Sequence, residues 1–243
     1  MIAGSATGTS PCEVAAPTPL SPGEVGAGTG GGATTVDVLA AEHGGRGMVK
    51  QKTLTHAQRM QLEQQMEQAR AVIAKYPTAA SALAAGYDKS TVYVPCIGAH
   101  YTKITLARAF DPSAPSELLY DGSGPDAKIV GLSYLVFHPN GPPPGFAGPN
   151  DHWHQHNANG GLCLRGGFVV GAEDTSPQEC ANLGGRKTPL LDVYMLHAWV
   201  VPGFECDWGV FSGECPELGG RLGGTAWENP EPSAASSRAS ASG

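Results

Sequence analysis

Charged residues are scarce in this chain, at 15% of its 243 residues, against roughly 25% in an ordinary globular protein. The formal charge is -7 and no cluster of Lys and Arg occurs, so duplex nucleic acid and anionic membrane are poor partners. No apolar run reaches the roughly 18 residues that a membrane-spanning helix needs. No CxxC pair occurs among Cys12, Cys96, Cys163, Cys180, Cys206 and Cys215, which argues against a zinc ribbon or a thioredoxin motif. Gly-x-Ser-x-Gly and His-Glu-x-x-His are also missing, and with them the signatures of an α/β-hydrolase nucleophile and of a zincin helix.

Glycine and proline are plentiful instead, at 34 and 20 residues. That mix suits an all-β domain with long loops, or a domain with disordered tails. An even number of cysteines in a Gly-rich, weakly charged chain favours disulfides and an oxidising compartment. The pairings expected are Cys206–Cys215, across a turn, and Cys163–Cys180. Met1–Ser5 shows neither the basic nor the apolar region of a secretory leader. The cysteines therefore suggest an exported or extracellular bacterial protein whose leader lies upstream of the given start.

Residues 1–50 read as a disordered Gly/Ala/Pro-rich linker. Its Gly26–Gly31 run is no phosphate loop, because no strand precedes it. A helical segment follows over 51–88. Thr55 and Gln58 form a capping box, and Leu62, Met66, Ala69, Ile73 and Tyr76 make one apolar stripe that Pro77 ends. A shorter helix over about 78–85 should stop at Gly86. Residues 89–228 read as a β domain, with strand candidates at 91–94, 101–107, 117–120, 128–137, 167–170 and 190–201. Ser176-Pro177-Gln178-Glu179 marks a short inserted helix. Residues 229–243 are a disordered Ser/Ala tail. The fold expected is mainly β, a cupin-like barrel or β-sandwich, with an N-terminal helical hairpin and a short inserted helix.

The chemistry concentrates in Asp151-His152-Trp153-His154-Gln155-His156. Three of the chain's eight histidines alternate here, and on a strand alternate side chains share a face. Imidazole is the commonest metal ligand. His152 and His156 would lie roughly 13 Å apart on a straight strand, too far for one ion, whereas an adjacent pair spans about 6.6 Å. His154 belongs to either pair. His197, inside the apolar run Tyr194–Trp199, is the best completing ligand, since a buried imidazole there needs a partner. His100 is the next, at the start of a strand. Tyr101, Met195 and Trp199 are pocket candidates. Asp151 would either accept a ring N–H as an outer carboxylate or begin an Asx-turn. His43, His56 and His138 read as solvated or loop residues. Trp153, Trp199, Trp208 and Trp227 would be a carbohydrate-contacting set if exposed and coplanar.

A strand-borne His-x-His with a later histidine, on a Gly-rich β scaffold, resembles the cupin superfamily of small β-barrels over residues 90–215. Cupins place a Glu shortly after His-x-His, where this chain has Asn157-Ala158-Asn159-Gly160-Gly161. Their last His follows a Pro-x-Gly turn, whereas Pro202-Gly203 here comes after His197. Gly98-Ala99-His100, the stretch from Gly145 to His154 and Met195-Leu196-His197-Ala198-Trp199 also resemble a group of bacterial exported proteins to which no activity is attached.

Imidazoles with no obvious carboxylate suit zinc, copper or nickel better than magnesium or calcium, with zinc or copper expected first. Iron would need a carboxylate brought in by Glu173 or Asp174. The function expected is that of a His-ligated transition-metal enzyme, oxidative or hydrolytic, acting on a small molecule. The alternative is a non-catalytic exported domain that binds metal or another ligand.

Overall fold

The computed structural model describes residues 51–94 and 96–218. The expected linker, its glycine run, His43, Trp227 and the Ser/Ala tail lie outside the described residues. The first described element is helix α1, His56–Ile73. It begins where local chemistry dictates: the Thr55 hydroxyl accepts from the Gln58 amide at 3.2 Å, and Gln58 accepts from the Thr55 amide at 2.9 Å. This reciprocal capping satisfies two otherwise orphaned donors. Met66, Ala69 and Val72 form its buried face, with Leu62 and Ile73 half-buried beside them. Helix α2, Ala79–Ala84, has its own capping box from Thr78 and Ser81. It stops at Gly86, whose φ of +82° is one that glycine adopts without a Cβ penalty.

Eight strands follow among the described residues. β1 is Asp88–Lys89, β2 Ala99–Thr102, β3 Glu117–Tyr120, β4 Ile129–Phe137, β5 Leu162–Arg165, β6 Phe168–Gly171, β7 Arg186–Thr188 and β8 Val193–Ala198. The larger sheet runs β1-β2-β3-β4-β8 and the smaller β6-β5-β7; all pairings within them are antiparallel. Helix α3, Pro177–Asn182, links β6 to β7; it starts at the Ser176 cap with proline in its first turn. A disulfide, Cys163–Cys180, ties α3 to β5. Among the described residues neither sheet closes on itself, so the expected cupin-like barrel is absent and the architecture is two antiparallel sheets with few helices. Most strands are only two to four residues long, too short to wrap a continuous barrel wall.

Register divides the large sheet into two chemically distinct faces. Tyr101, Leu118, Leu132 and Ala198 lie opposite one another across four strands, and paired residues point to the same side. Tyr120, Tyr134 and Leu196 share that side by alternation. All seven are buried. The Tyr120 hydroxyl donates to the Tyr76 carbonyl at 2.9 Å, tying the sheet to the segment that follows α1. The next row along belongs to the other face and is polar: Thr102, Glu117, Ser133 and His197. His100 and Trp199 share this second face.

Three expectations for the chain's course are corrected. The 101–107 strand ends at Thr102, and Ile104–Leu106 turns into a 3-10 helix. Residues 91–94 make only isolated bridges. The histidine segment is not a regular strand: it is an extended stretch with one bridge, His154 to Met195 of β8. The proline-rich run before it lacks donors for a ladder, and positive φ at Asn159, Gly160 and Gly161 turns the chain away after it. No described helix is long and apolar enough to cross a membrane.

Candidate metal centre

Four histidines converge on the polar face of the large sheet. His100 comes from β2 and His197 from β8. His154 is held against β8 by two backbone bonds, its amide to the Met195 carbonyl at 2.9 Å and the Met195 amide to its carbonyl at 2.8 Å. His156 is fixed two residues on, where its carbonyl accepts from the Leu190 amide at 3.1 Å. Ring centres lie 5.1 Å apart for His154 and His156, 5.3 Å for His154 and His197, and 5.7 Å for His100 and His197. Two imidazoles that share an ion tetrahedrally, with metal–nitrogen bonds near 2.0–2.1 Å, hold their ring centres about 5 Å apart. Each of these three neighbouring pairs is therefore spaced close to what two imidazoles on one ion require.

The surroundings set each ring. His197 Nδ1 donates to the Gly213 carbonyl at 2.7 Å, so its neutral form carries the lone pair on Nε2. His156 Nδ1 faces a Glu173 carboxylate oxygen at 3.3 Å. His100 Nδ1 faces the Thr91 hydroxyl at 3.4 Å. A carbonyl, a carboxylate and a hydroxyl behind the imidazoles form the outer ring of partners that orients histidine ligands in metal sites. Glu173 is fully buried and its second oxygen accepts from the Ala158 amide. The small sheet delivers it: Glu173 follows β6, and Lys187 of β7 grips the Ala172 and Glu173 carbonyls at 3.1 and 2.9 Å. Glu117, on the large sheet, accepts from Thr102 and Ser133, each at 2.8 Å.

His100, His154, His156 and His197 are 6%, 5%, 6% and 1% exposed. Burial, then the neighbouring His156 ring, pushes the His100 pKa down to about 3. Burial, then the His100 ring, does the same to His197, to about 3, partly offset by the Gly213 carbonyl and Glu117. Both imidazoles are thus neutral near neutral pH, the form that binds metals.

The remaining sequence candidates fall elsewhere. His152 and Asp151 line an open cleft of about 670 Å³ with Trp153, Gln61 and the proline loop 142–148. Burial raises the Asp151 pKa. Tyr101 lies on the opposite face of the sheet from His100, its hydroxyl donating to the Ser123 carbonyl at 3.3 Å. Met195 is buried and bridges to His154. Trp199 is buried beside the centre, 5.8 Å from the His197 ring, and donates to the Ser212 carbonyl at 2.7 Å. Its burial removes it from any exposed tryptophan platform. Thr91, Glu117 and the Gly213 carbonyl were not anticipated, and Glu173 was anticipated only as a ligand.

A second group of donors lies in the C-terminal segment. The ligand atoms of Cys206, Cys215 and Glu217 all lie within 4.8 Å of one another. The expected Cys206–Cys215 disulfide is not closed: both are free thiols, whereas Cys163–Cys180 is bonded as expected and Cys96 is also disulfide-bonded. Hydrogen bonding with Cys206, burial and the Glu217 carboxylate raise the Cys215 pKa.

Comparison with known protein families, curated proteins and solved structures finds no match to this chain.

Proposed function

We propose that this chain is an exported β protein that holds a transition-metal ion in a closed centre of His100, His154, His156 and His197. The observation that carries this reading is the convergence of four buried imidazoles, three of them facing an outer partner through Nδ1. An all-imidazole donor set favours zinc or copper. Iron is disfavoured because Glu173, the carboxylate that faces His156, is engaged by His156 and the Ala158 amide. Burial of every ring supports holding an ion over turning over a substrate, since catalytic centres keep a coordination position open. An oxidative or hydrolytic activity would require such an opening. Of the cupin likeness, this reading keeps the His154-x-His156 pair facing a later histidine. Disulfide bonding supports an oxidising setting.

The test is metal analysis of full-length protein purified without an affinity tag. His154→Ala and His197→Ala should each lose about one zinc or copper ion per chain, and His152→Ala should lose none. Metal below about a tenth of an equivalent in the parent protein, or unchanged content in both variants, would sink the proposal.

A further inference from the structure

We infer that Cys206, Cys215 and Glu217 form a second, thiolate-bearing metal site for a zinc-type divalent ion, separate from the histidine centre. Two turns bring the donors together. Cys206 opens a turn closed by the Gly209 amide on its carbonyl at 2.9 Å. Cys215 is anchored by its own amide on the Cys96 carbonyl at 2.7 Å, and the 3-10 turn Pro216–Leu218 folds Glu217 back over it. The Cys215 thiol then donates to Glu217 Oε2 at 2.9 Å, while Glu217 Oε1 accepts from the Asp207 amide at 3.2 Å. Glu217 is thus held by both turns, bonded to the Cys215 sulfur and within 4.8 Å of the Cys206 sulfur, whose thiol donates to the Glu214 carbonyl at 3.5 Å.

That carboxylate decides between the two uses of adjacent cysteines. A disulfide has no proton to donate and no use for an acceptor at the sulfurs. Two thiolates and a carboxylate are three donors that zinc accepts, with water completing four. Binding would release the thiol protons. The set contains no imidazole, so it differs in kind from the histidine centre and does not depend on it.

The site would also have a mechanical effect. The loop between the two cysteines carries the carbonyls that hold its neighbours: Gly213 on His197 Nδ1 and Ser212 on Trp199 Nε1, both at 2.7 Å, and Val210 on the Trp199 amide at 2.9 Å. An ion joining Cys206 to Cys215 would fasten both ends of that loop.

Chelator-dependent alkylation of the full chain tests this, on protein purified anaerobically, given Zn²⁺ and kept without reductant. Cys206, the more open thiol, should resist iodoacetamide until a chelator is added and react promptly afterwards. Glu217→Gln should speed its modification before chelation, and His154→Ala should leave the protection intact. Co²⁺ added in place of Zn²⁺ should give a thiolate-to-metal charge-transfer band in the parent and not in Cys215→Ser. Prompt alkylation of Cys206 without chelator overturns the site, as does alkylation only after a disulfide reductant. Loss of zinc protection in His154→Ala would show that the two centres are not separate, whereas failure of the histidine variants to lose metal would leave this site standing.

Discussion

Replacing Glu173 by Gln tests whether the small sheet serves the histidine centre. The side chain is fully buried and binds both His156 Nδ1, at 3.3 Å, and the Ala158 amide. Glutamine keeps the shape and one acceptor oxygen but loses the charge. Its amide group facing the imidazole would donate where the carboxylate accepted, which disfavours the His156 tautomer that leaves Nε2 for metal. Loss of such an outer partner lowers metal affinity by about 10- to 100-fold, equivalent to roughly 1.4–2.8 kcal/mol. Competition with a chromophoric chelator measures the affinity, and thermal unfolding of the metal-free protein controls for the fold. Glu173→Ala should do more harm without metal, because it strands the buried His156 ring, at about 1–3 kcal/mol for a buried group left unsatisfied, and removes the acceptor of the half-buried Ala158 amide. A Gln variant with affinity within about twofold of the parent would refute the idea that Glu173 orients a ligand.

Three further outcomes are expected. A Cβ added at Gly131 would meet Trp199 ring carbons at 2.8 and 2.9 Å and Leu119 at 3.2 Å, so Gly131→Ala should destabilise by about 1–3 kcal/mol and weaken metal binding through the displaced indole; an unchanged melting temperature would contradict it. Replacing both Cys163 and Cys180 by Ala opens a link of sequence separation 17 and should cost about 3 kcal/mol, with metal affinity falling as Glu173 loosens; calorimetry and the chelator assay read the two effects, and full stability would refute it. In metal-free protein, His100 and His197 have pKa values lowered from 6.5 to about 3. The unfolded chain therefore takes up more protons below 6.5, so stability is fully present above that pH and falls as pH drops towards 3; melting temperatures that stay level across this interval would show that the rings are not buried and neutral.

Local signals in the sequence were the most legible. The capping boxes at Thr55–Gln58 and Ser176–Glu179 involve residues three apart, and both appear in the structure. The strand at Glu117–Tyr120 was readable because its flanking turns and apolar run agree. β5 and β7 were not, because their positions in a small sheet follow from pairing partners rather than composition. The alternation of histidines was misread as a regular strand, since backbone pairing supports only His154. Tyr101 was expected to line the pocket, although it adjoins His100 on β2 and neighbours on a strand face opposite ways. Glu173, Thr91 and Gly213 escaped as outer partners for a simpler reason: they are distant in sequence from the rings they face, and a backbone carbonyl leaves no mark on side-chain chemistry.

The scattered origin of the histidine centre has a consequence for the order in which the protein is made. During synthesis the chain folds from its N-terminal side. When β2, β3 and β4 have emerged they can pair as a simple meander, yet only His100 among the four rings is then available. His154 and His156 arrive next, and Glu173 after them. His197 comes last, on β8, which must add to the far edge of the completed meander. An ion met early would find one imidazole and nothing to hold it. On the proposed reading the ion would therefore join late, and a ribosome-bound chain stopped after β4, before His154 emerges, should fold its meander without capturing metal.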